Sequence, residues 1–278
     1  MEQTQPKVLI VILNYGTFQM TINLIKELRA ELEYDNYSIM VVDNCSPNES
    51  AEILAANSSA LNYIFYANKT NSGYAAGNNI GIRYGINNGY IYTWILNNDV
   101  ELREKNLLSH MVEIAEKNKQ IGCVGPMVYT LDGTICAPYC RRPTFWSMTG
   151  GIFSEKKYRK RFVNIERQVY RVYGCCMLLK NNVMAEVDCL DERTFLYGEE
   201  DILAERMMRK GYISYYTPNV SVTHKESSTM KQMSKQKKKL QIEEVGKSLE
   251  LYLIEYRNFS WIACIICKRI RQLIVMMR

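Results

Sequence analysis

The chain has 278 residues, 47% of them hydrophobic, 23% charged and 11% aromatic, enough apolar material for one large packed domain, alone or with a tail. That composition excludes a disordered chain, a fibrous repeat and a small disulfide scaffold. The net charge of +6 comes from 35 Lys and Arg against 29 Asp and Glu. The excess gathers at Lys156, Lys157, Arg159, Lys160 and Arg161, and again at Lys231, Lys235, Lys237, Lys238 and Lys239. Such clusters suit an anionic partner (phosphate, anionic lipid or nucleic acid) or are simply solvated loops.

Lys7 to Leu13 is a continuous apolar run, as in a parallel strand covered on both faces. Met20, Leu24, Leu28 and Leu32 recur every four residues and predict a helix after it. Strands are predicted over Ser38 to Val42 and Tyr63 to Tyr66, with a short helix from Glu49 to Ala56 between them. Ala75 to Asn88 reads as a helix despite its glycines. A strand over Tyr92 to Leu96, a helix over Glu104 to Asn118 and a strand over Ile121 to Tyr129 follow. This alternation predicts βαβ units and an open α/β sheet, whose ligands sit beyond the carboxyl ends of the strands.

The second half is less regular. Residues 132–168 are rich in Gly, Pro, Arg and aromatics and predict loops over a site. Val169 to Leu179 reads as a strand, Glu199 to Arg209 as a helix and Tyr212 to Tyr216 as a strand. A polar, basic segment from Lys225 to Lys239 precedes a helical pattern from Leu249 to Arg278. The end of that tail, Trp261 to Met277, interleaves apolar residues with Lys268, Arg269 and Arg271. There is no internal repeat and no apolar stretch of transmembrane length.

The nine cysteines come with no export signal at the start, so reduced thiols in a cytosolic protein are the expectation. Cys175 and Cys176 are adjacent, a poor geometry for pairing with each other. Cys264 and Cys267 have neither a second pair nor a nearby His, which argues against zinc. With only His110 and His224 in the chain, His-rich metal sites are excluded.

Polar residues that end buried strands are the candidate chemistry. Asn14-Tyr15, Asp43-Asn44 and Asn97-Asn98-Asp99 should converge along one sheet edge. Asp43 could accept a hydrogen bond from a base or ribose, with Tyr15 packed on a ring; equally, Asp43 and Asn44 could cap the next helix. Asn71 to Asn79 is a glycine-containing turn opening a helix, suited to a phosphate or ribose or else a plain tight turn. Asp99 could hold Mg²⁺ or Mn²⁺ beside substrate phosphates, provided a second ligand exists, and His224 after the late strand is the available one. Glu199-Glu200-Asp201 opens a helix; dipole stabilisation needs only one acid, so another is available as a general base on a hydroxyl.

Taken in order, VLIVILNYGTFQMT, MVVDNCSPNES, NSGYAAGNNIGI, WILNNDVEL, GCCMLLKNN, DERTFLYGEEDILAERMMRKGY and VTHKESST resemble the family 2 glycosyltransferases of the GT-A fold. The rhamnosyltransferase-like members that build bacterial surface polysaccharides are the most similar. The resemblance implies a Rossmann-like, mostly parallel central sheet flanked by helices, with a C-terminal helical tail. It implies a glycosyltransferase domain over residues 1–245, its nucleotide-binding half 1–130 and its acceptor half 131–245, followed by a tail over 246–278. Asp43 would contact a pyrimidine base lined by Asn14 and Tyr15, and Asn71, Gly73 and Asn78 would surround the nucleotide. Asn97-Asn98-Asp99 stands at the family's DXD position, with Asn98 beside the nucleotide-sugar and Asp99 and His224 on Mn²⁺ or Mg²⁺. Asn97 replaces the motif's first Asp. Glu199-Glu200 matches a Glu-Asp pair whose second member is the base, so Glu200 is preferred and Glu199 remains open.

The implied reaction is an inverting transfer of a sugar, rhamnose among the candidates, from a UDP- or dTDP-sugar to a glycan or lipid-linked hydroxyl. A single displacement needs no enzyme nucleophile, and no well-placed Ser-His or Cys-His pair is present. The expected setting is cytoplasmic, with the tail on the inner membrane face or at a homodimer contact, and no nucleic-acid partner. The rival readings are a nucleotidyltransferase, which would want basic residues after the first strand where Asn14-Tyr15-Gly16-Thr17 stands, and a non-catalytic membrane or nucleic-acid binder.

Overall fold

The computed structural model describes residues 5–225 and 235–276. Residues 226–234, which carry Lys231 and most of the predicted basic segment, lie outside them. The four apolar runs of the first half form β1 (Val8–Asn14), β2 (Tyr37–Asp43), β3 (Ile64–Ala67) and β4 (Tyr92–Leu96), paired in parallel in the order β3-β2-β1-β4. The side chains of β1, β4 and most of β2 are buried on both faces, which is why these strands read as unbroken apolar segments, whereas β3 at the sheet edge is partly exposed. The register sets Asn14 beside Asp43, so the polar ends of β1 and β2 finish level.

Beyond β4 the sheet is mixed. β9 (Cys176–Lys180) inserts antiparallel between β4 and β6 (Ile121–Thr130), and β10 (Ile213–His224) runs parallel to β6. The last strand on this path is β5 (Val100–Leu102), antiparallel to β10, while β7 (Ile135–Cys136) and β8 (Arg167–Val169) attach to β6 and β10. Helices cover both faces. α1 (Phe18–Glu31), α2 (Ser50–Asn57) and α4 (Leu107–Lys117) share one core with β1 and β4. α3 (Gly73–Asn87), α7 (Asn181–Glu186) and α8 (Glu199–Arg209) pack on the other face. The glycines that weaken the helical reading of α3 face the sheet: a Cβ at Gly81 would lie 2.4 Å from Val11 Cγ2, so only glycine permits this close approach.

Two predicted elements are corrected. Val169 to Leu179 is not one strand: β8 ends at Val169 and β9 starts at Cys176. Gly174 between them approaches the acidic helix closely: a Cβ there would fall 2.7 Å from Glu200 Oε1 and displace that carboxylate. Residues 132–168 are not all loops either. They contain β7, α5 (Phe145–Met148), α6 (Ile152–Arg159) and a 3-10 turn at Lys160–Phe162.

The helical pattern of the tail is present as α9 (Lys235–Leu251), a π-helical turn at Tyr252–Tyr256 and α10 (Trp261–Met276). It docks against the outer side of α8, where Ile202 and Ala204 meet Tyr252, Leu253, Tyr256, Cys264 and Cys267. Charged groups pin the same contact: Arg142 and Tyr170 both donate to the buried Glu205 of α8, and Tyr170 bonds Tyr252 across a 2.7 Å hydroxyl contact. The buried Glu205 carboxylate is further compensated by Arg257, whose Nε lies 3.5 Å from Oε1. The acidic N-terminus of α8 is therefore held between the sheet and the tail. No helix among the described residues is long and apolar enough to cross a membrane.

Candidate functional site

The carboxyl ends of β1, β2 and β4 meet in a hydrogen-bonded floor. Asn14 Nδ2 donates to Asp43 Oδ1 at 2.7 Å, and Ser46 donates to the same carboxylate from both its hydroxyl and its backbone N–H. Asn98 Nδ2 reaches Thr17 and Thr21 at 2.8 and 2.9 Å. Asn14, Asp43 and Asn78 are all buried: the first two belong to this floor, while Asn78 lies within α3, its Nδ2 donating to Tyr74 O at 3.0 Å. A carboxylate at the end of a buried strand must find donors, and Asn14 and Ser46 supply them. Nor does Asp43 cap α2, whose N-cap is Glu49. Tyr15, 52% exposed, and the half-buried Asn71 are the predicted residues that do face outward.

Gly73 opens α3 at φ +93° against the loop that precedes α8, with Tyr74 N–H donating to Phe195 O at 2.8 Å. Tyr74 is a residue the sequence reasoning quoted but did not nominate. Its hydroxyl donates to Gly174 O at 2.7 Å and approaches Asn97 Oδ1 at 3.2 Å, while Gly174 N–H donates to Glu200 Oε1 at 3.1 Å. Tyr74 and Gly174 thus join the Asn97-Asn98-Asp99 turn to the acidic helix. On the far side of the turn, β10 pairs His224 with Val100, which sets His224 Nε2 3.2 Å from Asp99 Oδ1.

The three acids of α8 have separate surroundings. Glu199 is buried with Oε2 lacking a hydrogen-bond partner among the described residues. Burial, with the Glu200 charge adding to it, raises its carboxyl well above the ordinary carboxylate range. Asp201 accepts from Arg171 Nε at 2.8 Å. Glu200 lies between them, its Oε1 3.9 Å from Arg171 Nη1 and its side chain 17% exposed. Arg171, like Ser46, escaped the sequence reasoning because nothing in a run of Tyr, Arg and Val marks it. Its guanidinium lies 3.5 Å from the centre of the Tyr139 ring, and Arg159 of α6 lies 3.4 Å from the same centre.

Tyr74, Asn97 and Gly174 therefore link the turn that carries the Asp99–His224 pair to the Glu200 carboxylate, near the carboxyl ends of the central strands. The fold is shared with known structures. The mannosyltransferase PcManGT from Pyrobaculum calidifontis, in complex with GDP-Man and Mn²⁺, superposes with a TM-score of 0.64 at 11% identity, over 97% of this chain and 70% of that one. S. aureus TarS 1–349 with UDP-GlcNAc gives 0.61 at 12% identity, over 90% of this chain and 66% of that one.

The profile of Glycosyl transferase family 2 matches residues 8–187, and the chain belongs to that family. Among curated relatives it is similar to the N-acetylglucosaminyl-diphospho-decaprenol L-rhamnosyltransferase of Mycobacterium tuberculosis (strain CDC 1551 / Oshkosh), 26% identical over 126 residues, 41% of this chain and 40% of that protein. It is also similar to the low-salt glycan biosynthesis hexosyltransferase Agl10 of Haloferax volcanii, 25% identical over 205 residues, 72% of this chain and 61% of that protein. These matches span less than two thirds of either relative.

Proposed function

We propose that the protein is an inverting glycosyltransferase that moves a sugar from a UDP- or dTDP-sugar to a hydroxyl of a lipid-linked or glycan acceptor in surface-polysaccharide assembly. The observation that carries this is the linkage of the Asp99–His224 pair to Glu200 through Asn97, Tyr74 and Gly174, from distant parts of the chain. The rhamnosyltransferase named for a decaprenol-linked substrate supports a lipid-linked acceptor and a rhamnose donor.

One carboxylate and one imidazole, with no group of three or more His, Cys, Asp or Glu side chains placed to hold a metal ion among the described residues, make a sparse donor set. It fits a divalent Mn²⁺ or Mg²⁺ that keeps several waters and takes its remaining ligands from a diphosphate. Bound there, the cation supplies Lewis-acid stabilisation of the charge leaving with the nucleoside diphosphate. Tyr15 and Asn71 line the nucleotide side, over the floor of Asn14, Asp43 and Asn98. Glu200 accepts the proton of the acceptor hydroxyl as it attacks, and Gly174 N–H and Arg171 fix the orientation of that carboxylate. Glu199, its carboxyl raised well above the ordinary range by burial, is sealed from an incoming acceptor and is the second choice. The catalytic domain is residues 1–245, and the tail 246–278 places the enzyme peripherally on the inner face of the cell membrane.

The test is a thermal-shift screen of sugar nucleotides with and without Mn²⁺, followed by product analysis with the stabilising donor. A ligand at a hundredfold its Kd stabilises by about 2.7 kcal/mol. Stabilisation by UDP- or dTDP-sugars and release of nucleoside diphosphate support the assignment. Release of pyrophosphate establishes a nucleotidyltransferase instead, and salt-sensitive nucleic-acid binding without any donor binding refutes both.

A further inference from the structure

Two stretches far apart in sequence present large apolar side chains to solvent. On α10, Cys264 and Cys267 turn inward, while Trp261, Ile262, Ile265, Ile266 and Leu273 are exposed. At about 100° per residue the exposed set spans an arc of roughly 140° on the side away from those cysteines. On the α5–α6 lobe, Phe145 is exposed, and Trp146 and Phe153 are 67% and 86% exposed. The stretches adjoin, because α5 contacts α10 and Met148 of α5 packs against the cluster that holds Cys264 and Cys267. Contiguous apolar exposure of this kind marks a recognition surface.

Its charge is of one sign. Lys156, Lys157, Lys160 and Arg161 are exposed around Phe153, and Arg269 is exposed within the α10 stripe. From Ile152 to Phe162 Glu155 is the one acidic residue, and Arg141 pairs with it at 2.6 Å; α10 contains no acidic residue at all. Two copies of such a face would bring like charges together, whereas an anionic interface would neutralise them. Aromatic rings beside Lys and Arg are the composition that seats at the boundary between lipid headgroups and acyl chains.

We propose that the α5–α6 lobe and α10 together form one docking face for an anionic lipid bilayer, so that the membrane contact is not the work of the tail alone. The face adjoins the acidic helix. Arg159 of α6 and Arg171 share the Tyr139 ring, and Arg171 holds Asp201 next to Glu200. Docking there would bring the candidate base toward an alcohol carried at the membrane surface. That consequence rests on the glycosyl-transfer reading; the docking face itself does not.

The chain's own tryptophans test it. Of the three, Trp94 is fully buried and Trp146 and Trp261 stand on the proposed face. The full chain is titrated with vesicles of phosphatidylcholine, with or without phosphatidylglycerol, while tryptophan emission is followed. A blue shift with the anionic vesicles only, reversed by salt, is expected. The shift should persist in Trp261→Phe, where Trp146 is the remaining reporter, and in Trp146→Phe. Phe153→Ser should weaken partitioning by about tenfold, and each charge reversed at Lys156 and Lys157 by at least about fivefold. An absence of binding to either vesicle overturns the proposal. So does binding of Trp261→Phe with unmoved Trp146 emission, which would assign docking to the tail alone. So, too, does a solution dimer that Phe153→Ser dissociates, which would assign the face to a second copy. No sugar nucleotide is present in these titrations, so their failure leaves the catalytic reading standing, and failure of that reading leaves them informative.

Discussion

Gly73 offers a quantitative test of how the two halves of the cleft are joined. A Cβ there would lie 2.3 Å from Phe195 O, and φ is +93°, where L residues are strained. Gly73→Ala should cost about 1–2 kcal/mol for the backbone conformation. Relieving the overlap should add about 1–3 kcal/mol, and weakening the 2.8 Å Tyr74 N–H to Phe195 O bond about 0.5–1.5 kcal/mol. The total, about 3–6 kcal/mol, is a large share of an ordinary domain's stability. For a chain of this size it lowers Tm by roughly 6–20 °C. Gly89→Ala is the control: its φ is +70°, but an added Cβ meets nothing within 4 Å, so only the strain remains. Urea denaturation of both variants gives the comparison. Equal midpoints for Gly73→Ala and Gly89→Ala would refute the claim that α3 and the loop before α8 are locked together at this contact.

Two further substitutions probe the acidic helix. Burial keeps the folded Glu199 carboxyl protonated above the ordinary value of 4.5, so the folded state binds more protons than the unfolded one in that window. Its contribution is therefore present at low pH and lost as pH rises. Glu199→Gln should be more stable than wild type at pH 8, with the advantage closing toward pH 4, as read by denaturation at both ends, and should lose less than about tenfold in transfer. Arg171→Met removes a charge-assisted bond to Asp201 worth about 1.5–3 kcal/mol. The expected result is a kcat lowered about tenfold or more at unchanged donor KM, with Arg171→Lys recovering part of it.

How far the molecule was legible in sequence follows from where each element is buried. β1, β2, β4 and β6 were readable because both of their faces are covered, which leaves an unbroken apolar run. The Val169 to Leu179 segment misled because its apolar residues serve two strands in different places, with Gly174 and Arg171 between them turned toward the acidic helix. α5 and α6 were hidden because their outward faces carry Trp, Phe, Lys and Arg, so no polar-outside periodicity exists. At the candidate site, Asp99 and Glu200 are nominated by position alone, one at a strand end and the other at a helix start. The pairing of Asp99 with His224 depends on the antiparallel β5–β10 register, a long-range fact no local pattern encodes. Ser46, Tyr74 and Arg171 likewise gain their meaning only from partners distant in sequence.

The most direct measurement compares donor binding and sugar transfer side by side in Glu200→Gln. Binding of the stabilising UDP- or dTDP-sugar with Mn²⁺ should match wild type, because this carboxylate bonds Gly174 and faces Arg171 rather than the Asp99–His224 pair, while transfer falls by about 10²–10⁴-fold. Transfer at the wild-type rate, or loss of donor binding together with transfer in a variant that still folds, would contradict the assignment of Glu200 to the acceptor side.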